Sequence, residues 1–416
     1  MVGNEREEHG TYCLLDAEQK LKQGIVGDPV VDIVDTLLLK AITMGASDVH
    51  LQPDNQVLRV RLRVDGFLHD HDTFDHQLMP QVLSRVKVLS ALDIAEKRVP
   101  QDGKIKVILD QPDAQPIDLR VATFPSIYGE KIVVRILDRS ANILALESLG
   151  MRSDIFDALL GIVAHPQGFF LVTGPTGSGK TTTLYALLSR LNSNERNIVT
   201  MEDPVEYDLP GITQSQVNSK TGFDFENGLR SMLRQDPDVI MIGEIRDKQT
   251  VQIAVQSALT GHLVLSTLHT NDAAGAVTRL LDMQVEPFLI NATLTGVLSQ
   301  RLVRSLCNAC KQEVGLTDDE QKIMDAYNIQ TESRFKAVGC KQCFNVGYKG
   351  RTGIFELILL NDSIRDLVLK KASADLIRHQ GLRDNMPSLL HDGLLKVAQG
   401  VISLEELLSV INESPR

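Results

Sequence analysis

The stretch "GFFLVTGPTGSGKTTTLYALL", residues 168–188, limits what this chain can fold into more than any other. An apolar run leads straight into the spacing G-x-x-x-x-G-K-[ST], from Gly174 to Thr181, and a helix former follows. That order predicts a strand, a tight loop and a helix, with backbone amides turned inward around phosphate oxygens at the helix N-terminus. Gly174, Gly177 and Gly179 supply the backbone freedom such a loop requires. The residues expected to hold a nucleoside triphosphate with Mg2+ are Gly174, Pro175, Thr176, Gly177, Ser178, Gly179, Lys180, Thr181 and Thr182. Lys180 is expected to reach the β- and γ-phosphates, and the Thr181 hydroxyl to bind Mg2+.

Further apolar runs, "NIVTME", "DVIMIGE" and "HLVLSTLH", alternate with helical patterns from residue 151 onward. Such alternation predicts a mostly parallel sheet covered by helices, an α/β architecture. Ligands of these sheets bind beyond the carboxyl ends of the strands, where Glu202, Asp203, Glu244 and His269 would converge. Glu202 is the candidate general base for water and His269 the candidate γ-phosphate sensor. Glu244 is the metal- or water-associated acid, at a position where many phosphate-loop proteins carry Asp. Taken singly, the acids serve equally well as turn caps and His269 as a satisfied core histidine.

Four of the five cysteines form two C-x-x-C pairs, Cys307/Cys310 and Cys340/Cys343, separated by 29 residues. Two such knuckles complete a tetrahedral, closed and therefore structural Zn2+ site. An iron–sulfur cluster and redox thiols are the alternatives, and Cys13 stands apart.

A net charge of -11, 4% aromatic residues and no Trp argue against a nucleic-acid-binding surface. No early segment reads as a secretion signal. The longest charge-free stretch, residues 249–271, is long enough to cross a bilayer. Its Gln, His, Thr and Asn residues instead favour a soluble helix followed by a buried strand. Residues 1–27 are polar and expected to be disordered; 28–138 form a small α/β domain in which "QVLRVRLRVDG" places Arg59, Arg61 and Arg63 on one strand face. A linker is expected at 139–150, a nucleotide-binding core at 151–300, the cysteine segment at 301–355 and a helical region at 356–416.

Several longer motifs resemble the secretion ATPase superfamily: "ASDVHLQP", "RLRVDG", "LDIAEKRVPQDGKI", "EDPVEY", "GLRSMLRQDPDVIMIGEIRD" and "TGHLVLSTLHTNDA", together with the phosphate loop. The resemblance covers roughly residues 30–412 and is nearest to the assembly ATPases of type II secretion systems and type IV pili, the type II branch in particular. It implies a PAS-like N-terminal domain, a RecA-like ATPase core, and a homo-hexamer that hydrolyses ATP to drive pseudopilus or pilus assembly and protein export. It also implies cytoplasmic localisation, with inner-membrane platform and docking proteins as partners and membrane association only through them. The resemblance adds four arginines to the ATP site: Arg120 in "DLRVAT", Arg135 in "VVRILD", and Arg230 and Arg234 in "GLRSMLRQDP". It supports Glu202 as the base, Glu244 as the metal- or water-associated acid and His269 as the family's His-box residue. The cysteines favour assembly over pilus retraction. Relatives of the type II branch usually carry a further N-terminal docking domain where only residues 1–27 stand here, so recruitment by that route is not expected of this stretch. The rival readings are a nucleotide-gated scaffold, a pilus-retraction ATPase and a RecA-type nucleic-acid motor.

Overall fold

The computed structural model describes residues 7–8, 11–14, 28–110, 116–137 and 144–412. They fall into two compact units, Met1–Asn142 and Ile143–Arg416.

The first unit is built on an eight-stranded sheet. Its strands are β1 (Glu7–Glu8), β2 (Thr11–Leu14), β3 (Ala46–Pro53), β4 (Val57–Val64), β5 (Phe67–Asp75), β6 (Gln101–Leu109), β7 (Ile117–Ser126) and β8 (Gly129–Leu137). Their spatial order is β1-β2-β6-β7-β8-β3-β4-β5. Helix α1 (Pro29–Thr43) begins with Pro at its first position, and the side chain of Asp28 caps it by accepting from the Val30 amide. Val34, Leu37, Leu38 and Ala41 bury the face of α1 that packs with α2 (Met79–Leu89) over the sheet. In β4, Leu58, Val60 and Leu62 point into the core, leaving Arg59, Arg61 and Arg63 on the opposite face as the alternation requires.

Residues 1–27 are not disordered throughout, contrary to the sequence reading. Thr11–Leu14 pairs in parallel with β6, Leu14 is fully buried, and the Tyr12 hydroxyl donates to buried Asp35 while accepting from Arg85. Four residues of alternating burial inside a polar segment are too short a signal to separate from noise. Cys13 lies half-buried in this strand. The remainder of that expectation, apart from Glu7–Glu8, lies outside the described residues, as do residues 138–143 at the expected linker.

The second unit carries a seven-stranded sheet formed by β9 (Gly168–Thr173), β10 (Ile198–Glu202), β11 (Thr213–Gln216), β12 (Val239–Ile242), β13 (Leu263–Leu268), β14 (Leu294–Leu306) and β17 (Tyr348–Leu359). The order is β11-β10-β12-β13-β9-β14-β17; every pairing is parallel except that of β14 with β17. All six residues of β9 and all six of β13 are buried, as expected of strands covered on both faces. Phe169 and Leu171 enter one core, with α6 (Lys248–Leu259) and α7 (Ala273–Asp282). Phe170 and Val172 enter the other, with α3 (Ser153–Ala164) and α4 (Lys180–Leu191). Helix α5 (Phe225–Met232) joins the first of these cores. Residues 249–271 form most of α6 and then β13, and no helix among the described residues is long and apolar enough to cross a membrane.

Helix α8 (Pro287–Thr293) leads into β14. Between β14 and β17 the chain makes a small hairpin, β15 (Gln312–Gly315) with β16 (Ser333–Lys336), around α9 (Asp318–Ala326). The unit closes with α10 (Asp362–Leu369), α11 (Ala374–Arg383), α12 (Leu389–Ala398) and α13 (Leu404–Asn412). Met324 of α9 shares a separate apolar cluster with Leu394 and Leu407 of α12 and α13.

Candidate functional site

Strand β9 ends at Thr173, and the chain turns before α4 starts at Lys180. Gly174, Gly177 and Gly179 have φ of 148°, 79° and 87°. A Cβ on Gly174 would also stand 2.4 Å from the Gln300 carbonyl oxygen, so torsion and packing both demand glycine there. Lys180 is only 9% exposed, and its Nζ donates to the carbonyls of Gly174 (3.0 Å) and Pro175 (3.1 Å). Burial lowers its pKa from the ordinary lysine value, while the charge of Glu244 works in the opposite direction. Thr181 is exposed on the first turn of α4, and the buried Ser178 hydroxyl has no hydrogen-bond partner among the described residues. The loop therefore offers a glycine backbone of positive φ, a helix N-terminus and a partly desolvated cation, a combination suited to phosphate oxygens.

Glu244 and His269 follow the adjacent parallel strands β12 and β13, which brings His269 Nε2 to 3.3 Å from Glu244 Oε2. Arg246 pairs with the other oxygen of Glu244. The Thr173 hydroxyl contacts the Leu268 carbonyl (3.0 Å) and accepts from the Thr270 amide (3.1 Å), tying the start of the phosphate loop to the segment that carries His269. Glu202 is placed differently. Its carboxylate is 2% exposed and accepts from Tyr185 on α4, from Thr200 (2.6 Å) and from Gln214 on β11 (3.1 Å). Those partners orient it towards the α4 side of β10, and none of them belongs to the loop. Burial together with the Glu202 carboxylate pushes the Tyr185 phenol well above its usual range.

Arg230 and Arg234 are exposed; Arg230 pairs with Glu226 at 3.0 Å, and Arg234 lies 3.4 Å from the Arg230 carbonyl. In the first unit, Arg120 of β7 stands directly opposite both Lys104 of β6 and Arg135 of β8. Arg135 in turn pairs with Asp48 of β3 at 3.0 Å. Lys104, Arg120 and Arg135 line a cleft of about 340 Å³ together with Asp102.

The four cysteine sulfurs lie within 4.8 Å of one another, with separations of 3.9 Å for Cys307–Cys340, 3.7 Å for Cys310–Cys343 and 3.8 Å for Cys340–Cys343. A tetrahedron with Zn–S bonds of ~2.3 Å has edges of ~3.8 Å, so the residues fit a zinc ion. The amides of Gly339, Cys340 and Gly347 also point at cysteine sulfurs, the usual support for thiolate charge.

The family described as "Type II/IV secretion system protein" matches residues 26–409. The chain belongs to that family. The "Type II secretion system ATPase E" of Vibrio cholerae is 49% identical over 386 residues, covering 93% of this chain and 76% of that one. The "Type IV pilus assembly ATPase PilB" of Thermus thermophilus is 45% identical over 378 residues, 90% of this chain and 42% of that one. Among solved structures, the pilus retraction motor PilT with bound ADP matches with a TM-score of 0.60 at 25% identity, covering 92% of this chain and 97% of PilT. The ATPase DotB of Legionella pneumophila shares the fold, with a TM-score of 0.67 at 20% identity over 97% of this chain and 100% of that one. This chain is a secretion ATPase, and that family implies a nucleotide as its ligand.

Three groups of the secretion ATPase escaped the sequence reading. Tyr185 stands in "TLYALL" as one more helix residue, and nothing local ties it to Glu202. Gln300 left a faint signal, the polar pair Ser-Gln inside the apolar run "LTGVLSQRLV". The Lys104–Arg120–Arg135 row depends on the register of three strands, which spacing along the chain does not reveal.

Proposed function

We propose that this secretion ATPase works as a cytoplasmic homo-hexameric motor, held at the inner membrane through platform and docking proteins, whose ATP hydrolysis powers pseudopilus or pilus assembly and protein export. The observation that carries the reading is the meeting of the glycine loop, partly desolvated Lys180 and the Glu244–His269 pair at the carboxyl ends of neighbouring strands. Gly174 to Thr182 receive MgATP, with Lys180 on the β- and γ-phosphates and Thr181 on Mg2+. Glu244 holds the metal-bound or attacking water, and His269 responds to the γ-phosphate through its contact with Glu244. Glu202 keeps its assignment as base on the strength of the family resemblance. Arg120, Arg135, Arg230 and Arg234 are assigned to nucleotide contact on the same basis, and the cationic row beside Lys104 supports the first two. Zn2+ at the four cysteines holds the inserted segment together and takes no part in hydrolysis.

ATP turnover measured against protein concentration tests the motor. Specific activity should rise with concentration and vanish in Lys180→Ala; turnover independent of concentration in protein that stays monomeric on sizing would overturn the hexamer.

A further inference from the structure

Gln300 occupies the middle of β14, opposite Phe355 of β17 and beside the end of β9. It is 2% exposed, in a sheet whose neighbouring strand is apolar along almost its whole length. A buried carboxamide is costly unless it is hydrogen-bonded, and here both its nitrogen and its oxygen are. Its Nε2 donates to the Ser178 carbonyl at 2.7 Å, and its Oε1 accepts from the Thr183 hydroxyl at 2.7 Å. Because a carbonyl only accepts, Ser178 fixes which end of the amide faces it. The two partners bracket Gly179, Lys180, Thr181 and Thr182. The backbone carbonyl of Gln300 excludes any Cβ at Gly174, and its side-chain Nε2 would lie 3.1 Å from a Cβ at Gly179. One residue thus touches both ends of the loop.

We infer that Gln300 is a positioning residue for nucleotide binding, clamping Ser178 to Thr183 so that the residues between them keep the geometry that receives the phosphates. This rests on the reading that the loop holds the phosphates of ATP. A leucine of similar volume would fill the site, but it would leave the Ser178 carbonyl and Thr183 hydroxyl without their partner.

The test is equilibrium binding of a slowly hydrolysed MgATP analogue to the full chain from roughly pH 5.5 to 8.5, with wild type measured in parallel and folding checked by thermal melting. Gln300→Leu should bind about tenfold more weakly at every pH, the equivalent of about 1.4 kcal/mol. Gln300→Glu carries a carboxyl that, when protonated, can donate to Ser178 and accept from Thr183 as the amide does. Its affinity should approach that of wild type at low pH and fall about tenfold relative to wild type as the carboxylate forms against the Ser178 carbonyl. Folded variants that both bind as wild type does would overturn the inference. So would Gln300→Glu tracking Gln300→Leu at every pH, which is the signature of packing alone. Should Gln300→Leu fail to fold, Thr183→Val decides: weaker binding supports the clamp and unchanged binding overturns it. Lys180→Ala separates the underlying reading, because normal binding by that variant would show that the phosphates lie elsewhere.

Discussion

Arg120 and Arg135 stand directly opposite one another on neighbouring strands, with Lys104 completing a row of three cations. Like charges at paired positions destabilise a sheet; Asp48 pairs with Arg135 at 3.0 Å and Asp102 lines the same cleft, which leaves three cations facing two carboxylates there. A fold that keeps such a row exposes a face fitted to an anion. Arg120→Gln should therefore raise the unfolding free energy slightly, by roughly 0.2–1 kcal/mol, while lowering ATP turnover at least tenfold. Denaturant melts and steady-state rates on the same preparation check both halves; a gain in stability with full activity would remove Arg120 from the reaction.

Glu202 is held by three side-chain donors, of which Tyr185 also links β10 to the helix that follows the phosphate loop. Removing that hydroxyl leaves a buried carboxylate short of a partner. Tyr185→Phe should cost about 1–3 kcal/mol in urea unfolding. Glu202→Gln separates charge from shape: if Glu202 is the base, turnover should fall by about two to four orders of magnitude while MgATP still binds.

Glu356 of β17 is fully enclosed, and burial pushes its carboxyl up to about 7 from 4.5, although the Ala273 and Leu389 amides donate to it. Between those values the folded protein holds a proton that the unfolded chain has released. The stability this gives is complete below pH 4.5 and is lost as pH rises through about 7. Glu356→Gln has no such proton, so wild type should lose on the order of 3 kcal/mol of stability relative to the variant as pH rises across that window. Urea titrations at successive pH values measure it, and parallel curves would refute it.

Chelation, or Cys343→Ser, should release one zinc per chain and speed amide hydrogen exchange in residues 307–347, with MgATP affinity changing less than about threefold. Metal quantified alongside exchange mass spectrometry tests this. Unchanged exchange after complete metal loss would mean that the fold of the segment does not depend on the ion.

What was legible in the sequence is what depends on spacing along the chain. Gly174, Gly177, Gly179 and Lys180 sit within one loop, and each C-x-x-C pair within one turn, so residue type and interval were enough. Strand ends also announced Glu244 and His269, because the parallel sheet aligns them. Gln300 is more than a hundred residues from Ser178, and the two meet only because β14 settles beside β9. Glu202 is marked in the sequence by its place at a strand end, but its surroundings are not, since they are supplied by β11 and α4. Thr11–Leu14 was missed for a related reason: a four-residue strand owes its place to the neighbour it pairs with, here β6.

The inserted cysteine segment leaves the sheet at Leu306 and returns at Tyr348, and these two residues face each other across the same antiparallel pair. Entry and exit are thus about 5 Å apart, a gap that a two- to five-residue turn can bridge. To the seven-stranded sheet, everything between them is an embellishment on one hairpin. The pairing of Leu306 with Tyr348 therefore does not depend on the length of what lies between them. Met324 and Ile329 of the segment, by contrast, reach back to Val303 of β14 and Ile354 of β17. It is through those side chains, and not through the chain ends, that a change in the cysteine-bearing piece is felt by the sheet.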